Sequence, residues 1–168
     1  MVKRTTIGTK MFGLFKAKKQ VLVSPADGDI IKLIEVPDEV FSQKMAGDGI
    51  AILPRTNTFV APVAGTITKI FSTNHAFSIQ TKSGLEVLVH IGLDTVALNG
   101  EGFKRLVKEG DTVSVGKPII SADLEFIQSK GIEIITPVVV NHERELLVIC
   151  DKVKTIREGD ELLEVTVQ

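Results

Sequence analysis

From residue 21 onward, short runs rich in Val, Ile and Thr are punctuated by Gly and Pro. This is the pattern of an all-β domain, because β-branched side chains suit the pleated, half-buried surface of a sheet and Gly and Pro supply the turns between strands. The runs predict strands over residues 21–24, 29–36, 49–53, 66–72, 76–81, 85–90, 112–115, 118–121, 132–135, 146–150 and 162–167. Two stretches, 103–109 and 124–130, predict short helices that are too brief to organise the fold.

Two echoes run along the chain. SPADGDIIKL at 24–33 and APVAGTITKI at 61–70 share a small residue, Pro, a Gly three residues on, then Ile, Lys and an aliphatic residue. Glu-Gly-Asp occurs at 109–111 and again at 158–160, each time ahead of an apolar run. Both echoes predict an antiparallel β-sandwich or barrel-like body made by internal duplication, with short helical turns.

Within 71–96, FSTNHAFSIQTKSGLEVLVHIGLDTV, the centre Thr81-Lys82-Ser83-Gly84 reads as a hairpin turn between alternating strands. A loop of two residues, Lys82-Ser83, or of four, 81–84, sets His75 directly opposite His90, with Phe77 opposite Leu88 and Thr73 opposite Gly92. Their Cβ atoms then lie about 4.5 to 5.5 Å apart. A loop one residue longer or shorter sends the two imidazoles to opposite faces.

Composition narrows what such a pair can be for. Over 168 residues, Lys plus Arg number 20 against 21 for Asp plus Glu, a net charge of -1, so nucleic acid is not an expected partner. The single cysteine, Cys150, cannot form an intramolecular disulfide or a cysteine-rich zinc site. It reads as a buried core thiol in a reduced, cytoplasmic protein. No apolar stretch approaches the roughly 20 residues of a spanning helix.

Residues 1–19 stand apart from the single domain predicted over 20–168. Lys3, Arg4, Lys10, Lys16, Lys18 and Lys19 are basic, no residue is acidic, and Met11, Phe12, Leu14 and Phe15 form a small apolar cluster. Two readings suit this segment: a basic flexible tail, or a weak, reversible contact with an anionic membrane surface.

Imidazole, with an ordinary pKa of about 6.5, offers near neutral pH an uncharged nitrogen that can accept a phosphoryl group and release it again. Two adjacent rings divide that labour: one becomes the phosphohistidine while the other, oriented by Thr73, donates a hydrogen bond to the transferring oxygens. The apolar rim around them suits docking to a protein more than enclosure of a small molecule.

The stretches VPDEVFSQKMAGDGIAI, VAPVAGTITKIF, TNHAFSIQTKSGLEVLVHIGLDTVALNGEGF and TPVVV carry a resemblance that covers about residues 21–165. The chain resembles the glucose-class enzyme IIA component of the bacterial phosphoenolpyruvate-dependent sugar phosphotransferase system, with GLEVLVHIGLDTV as the most specific stretch. The resemblance implies an all-β sandwich and a phosphoryl relay. In it, a histidine-containing phosphocarrier protein phosphorylates His90 on Nε2, and His90 then phosphorylates a cysteine on the IIB domain of a sugar permease. His75 matches the supporting histidine and Thr73 the residue that hydrogen-bonds it. The family's docking face is apolar with acidic neighbours, and maps onto Asp38, Val40, Phe41, Met45, Phe71, Phe77, Leu88, Asp94 and Val96. The protein is expected to act as a monomer without a required cofactor. By the same resemblance zinc is expected only at a partner interface, where His75 and His90 would share it with a partner's carboxylate.

Other features are set aside on their chemistry. Gly116-Lys117 fails as a nucleotide loop, since Gly110 is one position too far upstream and Pro118 replaces the required Ser or Thr. His142, in NHERE, reads as an exposed loop residue. The hairpin VKEGDTVSVGKPII lacks the MKM or DKA motif of a biotinyl or lipoyl carrier, and neither histidine stands in the HxH or HxxxD setting of a zinc hydrolase.

Overall fold

The structure, a computed structural model, describes residues 17–141 and 145–167. The first half of the chain forms β1 (Lys18–Val23), β2 (Gly28–Lys32), the short helix α1 (Glu39–Ser42), β3 (Asp48–Pro54), β4 (Thr58–Val60), β5 (Gly65–Ile70), β6 (Ala76–Gln80) and β7 (Glu86–His90). The second half forms β8 (Phe103–Arg105), β9 (Thr112–Val113), β10 (Pro118–Ala122), helix α2 (Leu124–Ser129), β11 (Thr136–Val140), β12 (Leu146–Val148), β13 (Thr155–Ile156) and β14 (Glu161–Val167). Single 3-10 turns lie at Leu33–Glu35 and Thr95–Leu98. The strand pairs are antiparallel, as expected for an all-β body.

The order of strands carries the duplication. The large sheet runs β13-β2-β3-β11-β7-β6-β5-β9, and the two small sheets run β1-β14-β12 and β4-β10-β8. Exchanging β2 with β5, β3 with β6, β11 with β7 and β13 with β9 maps the large sheet onto itself, and exchanging β1 with β4, β14 with β10 and β12 with β8 maps one small sheet onto the other. The first sequence echo sits on this pseudo-two-fold relation: Val23 N–H donates to Pro62 O and Val60 N–H to Pro25 O, both at 2.9 Å. The second echo is out of register. Ser24 exchanges backbone bonds with Gly159 and Asp160 just as Ala61 does with Gly116 and Lys117. The counterpart of Gly159-Asp160 is therefore Gly116-Lys117, and the repeated Glu-Gly-Asp at 109–111 does not mark equivalent positions. Gly116-Lys117 is a turn of the duplicated frame.

Alternation along the central strands explains both faces of the large sheet. Ile50, Ile52, Val87, Val89, Val138 and Val140 point into the main core, where they meet Leu22, Phe59, Ile120 and Leu163 from the small sheets. The residues between them, Ala51, Leu88 and Val139, face the other way, into a second apolar cluster with Leu33, Val36, Phe41, Leu93 and Ile135. Cys150 is a buried core thiol, and burial pushes its pKa up.

Three sequence expectations are corrected. Residues 103–109 are not helical: Phe103, Lys104 and Arg105 pair as β8 with Ala122, Ser121 and Ile120. Helical propensity there is overridden by a waiting sheet edge, while α2 forms as expected because Asp123 caps it, its side chain accepting from Phe126 N–H. Residues 132–135 are not a strand, and the central strand β11 follows them instead. Pro137 within it pairs with Ala51 and precedes Val138, the first residue paired with β7. Lys18 and Lys19, assigned to the tail, open β1 opposite Val167 and Thr166. The rest of the tail, residues 1–16, and His142 lie outside the described residues. Among the described residues no helix is long and apolar enough to cross a membrane.

Candidate functional site

The hairpin β6–β7 sets the site, in a register that differs by one residue from the expectation. Ala76, not His75, lies opposite His90; Phe77 faces Val89 and Ser78 faces Leu88. The loop holds three residues, Lys82, Ser83 and Gly84, closed by Thr81 N–H to Leu85 O at 2.9 Å and Gly84 N–H to Thr81 O at 3.0 Å. Gly84 has a φ of 82°, the left-handed conformation that ends a three-residue hairpin loop. One consequence is a correction to the docking face: Phe77, 0% exposed, belongs to the main core and does not reach the surface.

His90 shares its side of the sheet with Leu88, between the buried Val89 and Ile91. Strict alternation would place His75 with Phe77, toward the core. It escapes because β6 begins only at Ala76, and Asn74 before it takes a left-handed φ of 56°. The two imidazoles therefore meet after all, with centroids 4.9 Å apart and planes at 75°. Phe41 backs His90 at 5.1 Å and Phe71 backs His75 at 5.3 Å.

Each ring is held by one nitrogen. His90 Nδ1 lies 2.7 Å from Gly92 O. A carbonyl only accepts, so the proton sits on Nδ1 and Nε2 keeps its lone pair. His75 Nδ1 lies 2.5 Å from Thr73 Oγ1. When the Thr73 hydroxyl donates, the His75 proton is on Nε2, available to an oxygen placed between the rings. Burial lowers the pKa of His75 to about 4, helped by the neighbouring His90. Burial also lowers that of His90, against the bond to Gly92 O and the carboxylates of Asp38 and Asp94, which act the other way. Both rings are uncharged near neutral pH.

Beside His90 lies a shallow depression of about 250 Å³ lined by Asp38, Val40, Phe41, Ala46, Leu88, Asp94 and Val96. Val40 and Val96 are 45% and 54% exposed, Phe41 forms a buried floor, and Met45 stands 70% exposed on the turn after α1 without lining the depression. Asp38 caps α1, accepting from Val40 N–H at 2.9 Å, and Asp94 holds a left-handed φ of 59°. Phe71 is half-buried on the His75 side. Sequence reading missed the Gly92 carbonyl, the Ala46 wall and the turn 71–74; the only signal was Gly directly after His-Ile. Among the described residues no three His, Cys, Asp or Glu side chains gather as a metal site, and the histidine pair by itself offers two ligands.

A family model for the phosphoenolpyruvate-dependent sugar phosphotransferase system, EIIA 1, matches residues 20–146. The chain is 47% identical over 149 residues to the glucose-specific EIIA component of the phosphotransferase system of Buchnera aphidicola, covering 89% of this chain and 92% of that one. It is 49% identical over 146 residues to the N-acetylglucosamine-specific EIICBA component of Klebsiella pneumoniae, covering 86% of this chain but spanning only 22% of that relative's length. Among solved structures, the glucose permease IIA from Mycoplasma capricolum matches with a TM-score of 0.82 and 42% identity, over 88% of this chain and 96% of that one.

Proposed function

This chain belongs to the EIIA type 1 family of the phosphoenolpyruvate-dependent sugar phosphotransferase system, and from that premise we propose that His90 is its phosphoryl carrier. The group arrives from a histidine-containing phosphocarrier protein and leaves to a cysteine on the IIB domain of a sugar permease. The observation that carries this reading is the bond from His90 Nδ1 to Gly92 O. With its proton on Nδ1, His90 keeps on Nε2 the lone pair that a nucleophile needs, which supports this reading.

In the accepting step the His90 Nε2 lone pair forms a bond to phosphorus, and the donor's phosphorus–nitrogen bond breaks, its electron pair returning to the donor imidazole. The phosphorylated His90 ring keeps its Nδ1 proton and becomes cationic. Its bond to Gly92 O is then charge-assisted, which stabilises the intermediate. His75 Nε2–H donates to a phosphoryl oxygen, and Thr73 holds that tautomer in place. In the delivering step a cysteine thiolate attacks phosphorus and Nε2 recovers its lone pair. The low pKa of both rings keeps them in the form that this exchange needs at neutral pH.

The depression and its rim suit a protein partner: Val40, Val96 and Met45 supply apolar area, and Asp38 and Asp94 attract a basic surface. The carrier is read as a cytoplasmic monomer that needs no cofactor. A zinc ion at His75 and His90 would have two of the usual four ligands and must take the rest from a partner. Identity to glucose and N-acetylglucosamine components is nearly equal, so the sugar is assigned to the permease.

The test is incubation with phosphoenolpyruvate, the general phosphotransferase enzyme and its phosphocarrier, followed by intact-mass measurement and mapping of the acid-labile site. One phosphoryl group on His90 is expected; modification at His75 or His142, or none, overturns the reading.

A further inference from the structure

The turn that delivers His75 is the loop of the β5–β6 hairpin, just beyond the last paired residues Ile70 and Phe77. It runs from Phe71 to Asn74, closed by Asn74 N–H to Phe71 O at 2.7 Å and by Phe71 N–H to Ala76 O at 3.0 Å. Asn74 sits at a left-handed φ of 56°, which Asn tolerates better than other side-chain-bearing residues. Gly100 lies beside it, where an added Cβ would lie 3.8 Å from Thr73 O.

Side-chain support for the turn comes from Arg105, on β8. Its Nε donates to Asn74 Oδ1 at 2.7 Å, and its Nη2 reaches Phe71 O at 3.5 Å. The guanidinium fork thus grips the side chain that sets the turn and the carbonyl that closes it. Among the described residues Arg105 enters no salt bridge.

We infer that Arg105 is a positioning residue for His75, acting through Asn74 to hold the turn so that Thr73 meets His75 Nδ1 and His75 presents Nε2–H to the group on His90. This rests on the phosphoryl-carrier reading of the site. Arg105 touches neither imidazole. Its role needs the two-pronged fork and not merely a positive charge, so lysine does not replace it. Asn74→Gly keeps the left-handed turn but removes the acceptor; Asn74→Asp keeps both turn and acceptor.

The experiment compares the full-length wild type with Arg105→Lys, Arg105→Met, Asn74→Gly, Asn74→Asp and the Arg105→Met/Asn74→Gly double variant. The first readout is nitrogen-15 NMR of the imidazoles. Both Arg105 variants should move the His75 titration from about 4 toward the ordinary 6.5 as the ring loosens into water, with mixed tautomers at His75 and no change at His90. The second readout separates the half-reactions. Arg105→Lys, Arg105→Met and Asn74→Gly should each slow delivery to the IIB cysteine about five- to tenfold through kcat, leave acceptance by His90 within twofold, and not add in the double variant. Asn74→Asp should match the wild type. Unchanged His75 titration and tautomer in both Arg105 variants overturns the inference. So does an additive double variant, or a change in KM alone, which would make Arg105 a partner contact. The NMR readout uses no phosphoryl group, so it decides the role of Arg105 even if mapping places the phosphoryl group elsewhere and the carrier reading falls.

Discussion

His75 stands edge-on to His90, 4.9 Å away between ring centroids, without being its partner across the hairpin. Ile91 N–H donates to His75 O at 2.7 Å, so the backbone of one histidine is tied beside the other one residue past the end of the ladder. The rings can meet because His75 lies on a turn and His90 at a strand end. The two are anchored independently, one to a hydroxyl and one to a carbonyl.

Separate anchors predict separable roles. His90→Ala should form no phosphohistidine at any donor concentration. In His75→Gln the amide still donates to a phosphoryl oxygen, so His90 should be phosphorylated. Glutamine cannot shift protons or charge as the group leaves, so the phosphorylated form should accumulate and delivery should fall. Rapid-quench assays of the two half-reactions check this. Normal delivery by His75→Gln and His75→Ala alike would remove His75 from the mechanism.

The acidic rim can be tested without disturbing the fold. Asp38 caps α1 and Asp94 is left-handed, so arginine at either position would mix charge with structural damage. Asn keeps the cap and tolerates the left-handed region. Asp38→Asn with Asp94→Asn should slow association with the basic donor at low salt about tenfold and flatten the salt dependence, since rim charges act mainly on encounter rate. It should also lower the His90 titration further, because both carboxylates favour the charged ring. Stopped-flow rates across a salt series give the first result and NMR the second.

Stability should fall on the acid side because of His75. Its folded pKa, about 4, lies below the ordinary 6.5. Between these values the unfolded chain binds the proton that the folded ring refuses, so stability is full above about pH 6.5 and declines as pH drops toward 4. The contribution is on the order of 3 kcal/mol. Urea unfolding of the wild type and His75→Gln between pH 7 and 4 should show a shallower decline in the variant; parallel curves would mean that His75 is not held neutral.

Two glycines should respond differently to alanine. At Gly92, φ 75°, a Cβ would come within 2.4 Å of Thr95 Cγ2 and 2.8 Å of Glu133 O. Backbone strain and overlap together should cost about 2–4 kcal/mol and displace the carbonyl that holds His90. At Gly84, φ 82°, nothing lies within 4 Å. Gly84→Ala should cost about 1–2 kcal/mol and leave phosphorylation intact. Denaturant unfolding and mass measurement distinguish the two.

The class of fold was legible from the chain because β-branched alternation is a local property: Val87 and Val89 point one way and Leu88 and His90 the other in any sheet. The first echo, around Pro25 and Pro62, was legible as a duplication because both copies keep the turn chemistry that starts a strand. The stretch around His90 was legible as a family signature, and with it the chemistry of an uncharged imidazole. Gly84 was visible as a turn residue as well.

What only the tertiary structure decided depends on contacts between distant segments. Whether the hairpin loop held two, three or four residues changes its length by a few ångströms, yet a change of one exchanges the two faces. The true register put Phe77 in the core and left His75 to reach His90 by the left-handed turn at Asn74. Residues 103–105 became a strand because β10 offered an edge, which no local propensity records. Glu-Gly-Asp repeated in the sequence, but the backbone bonds to Ser24 and Ala61 picked Gly159 and Gly116 as equivalents. Arg105 and Asn74 are 31 positions apart, and their meeting under His75 follows from where β8 packs. A sequence states which side chains can hydrogen-bond or be buried; burial, register and long-range pairing select which of them do.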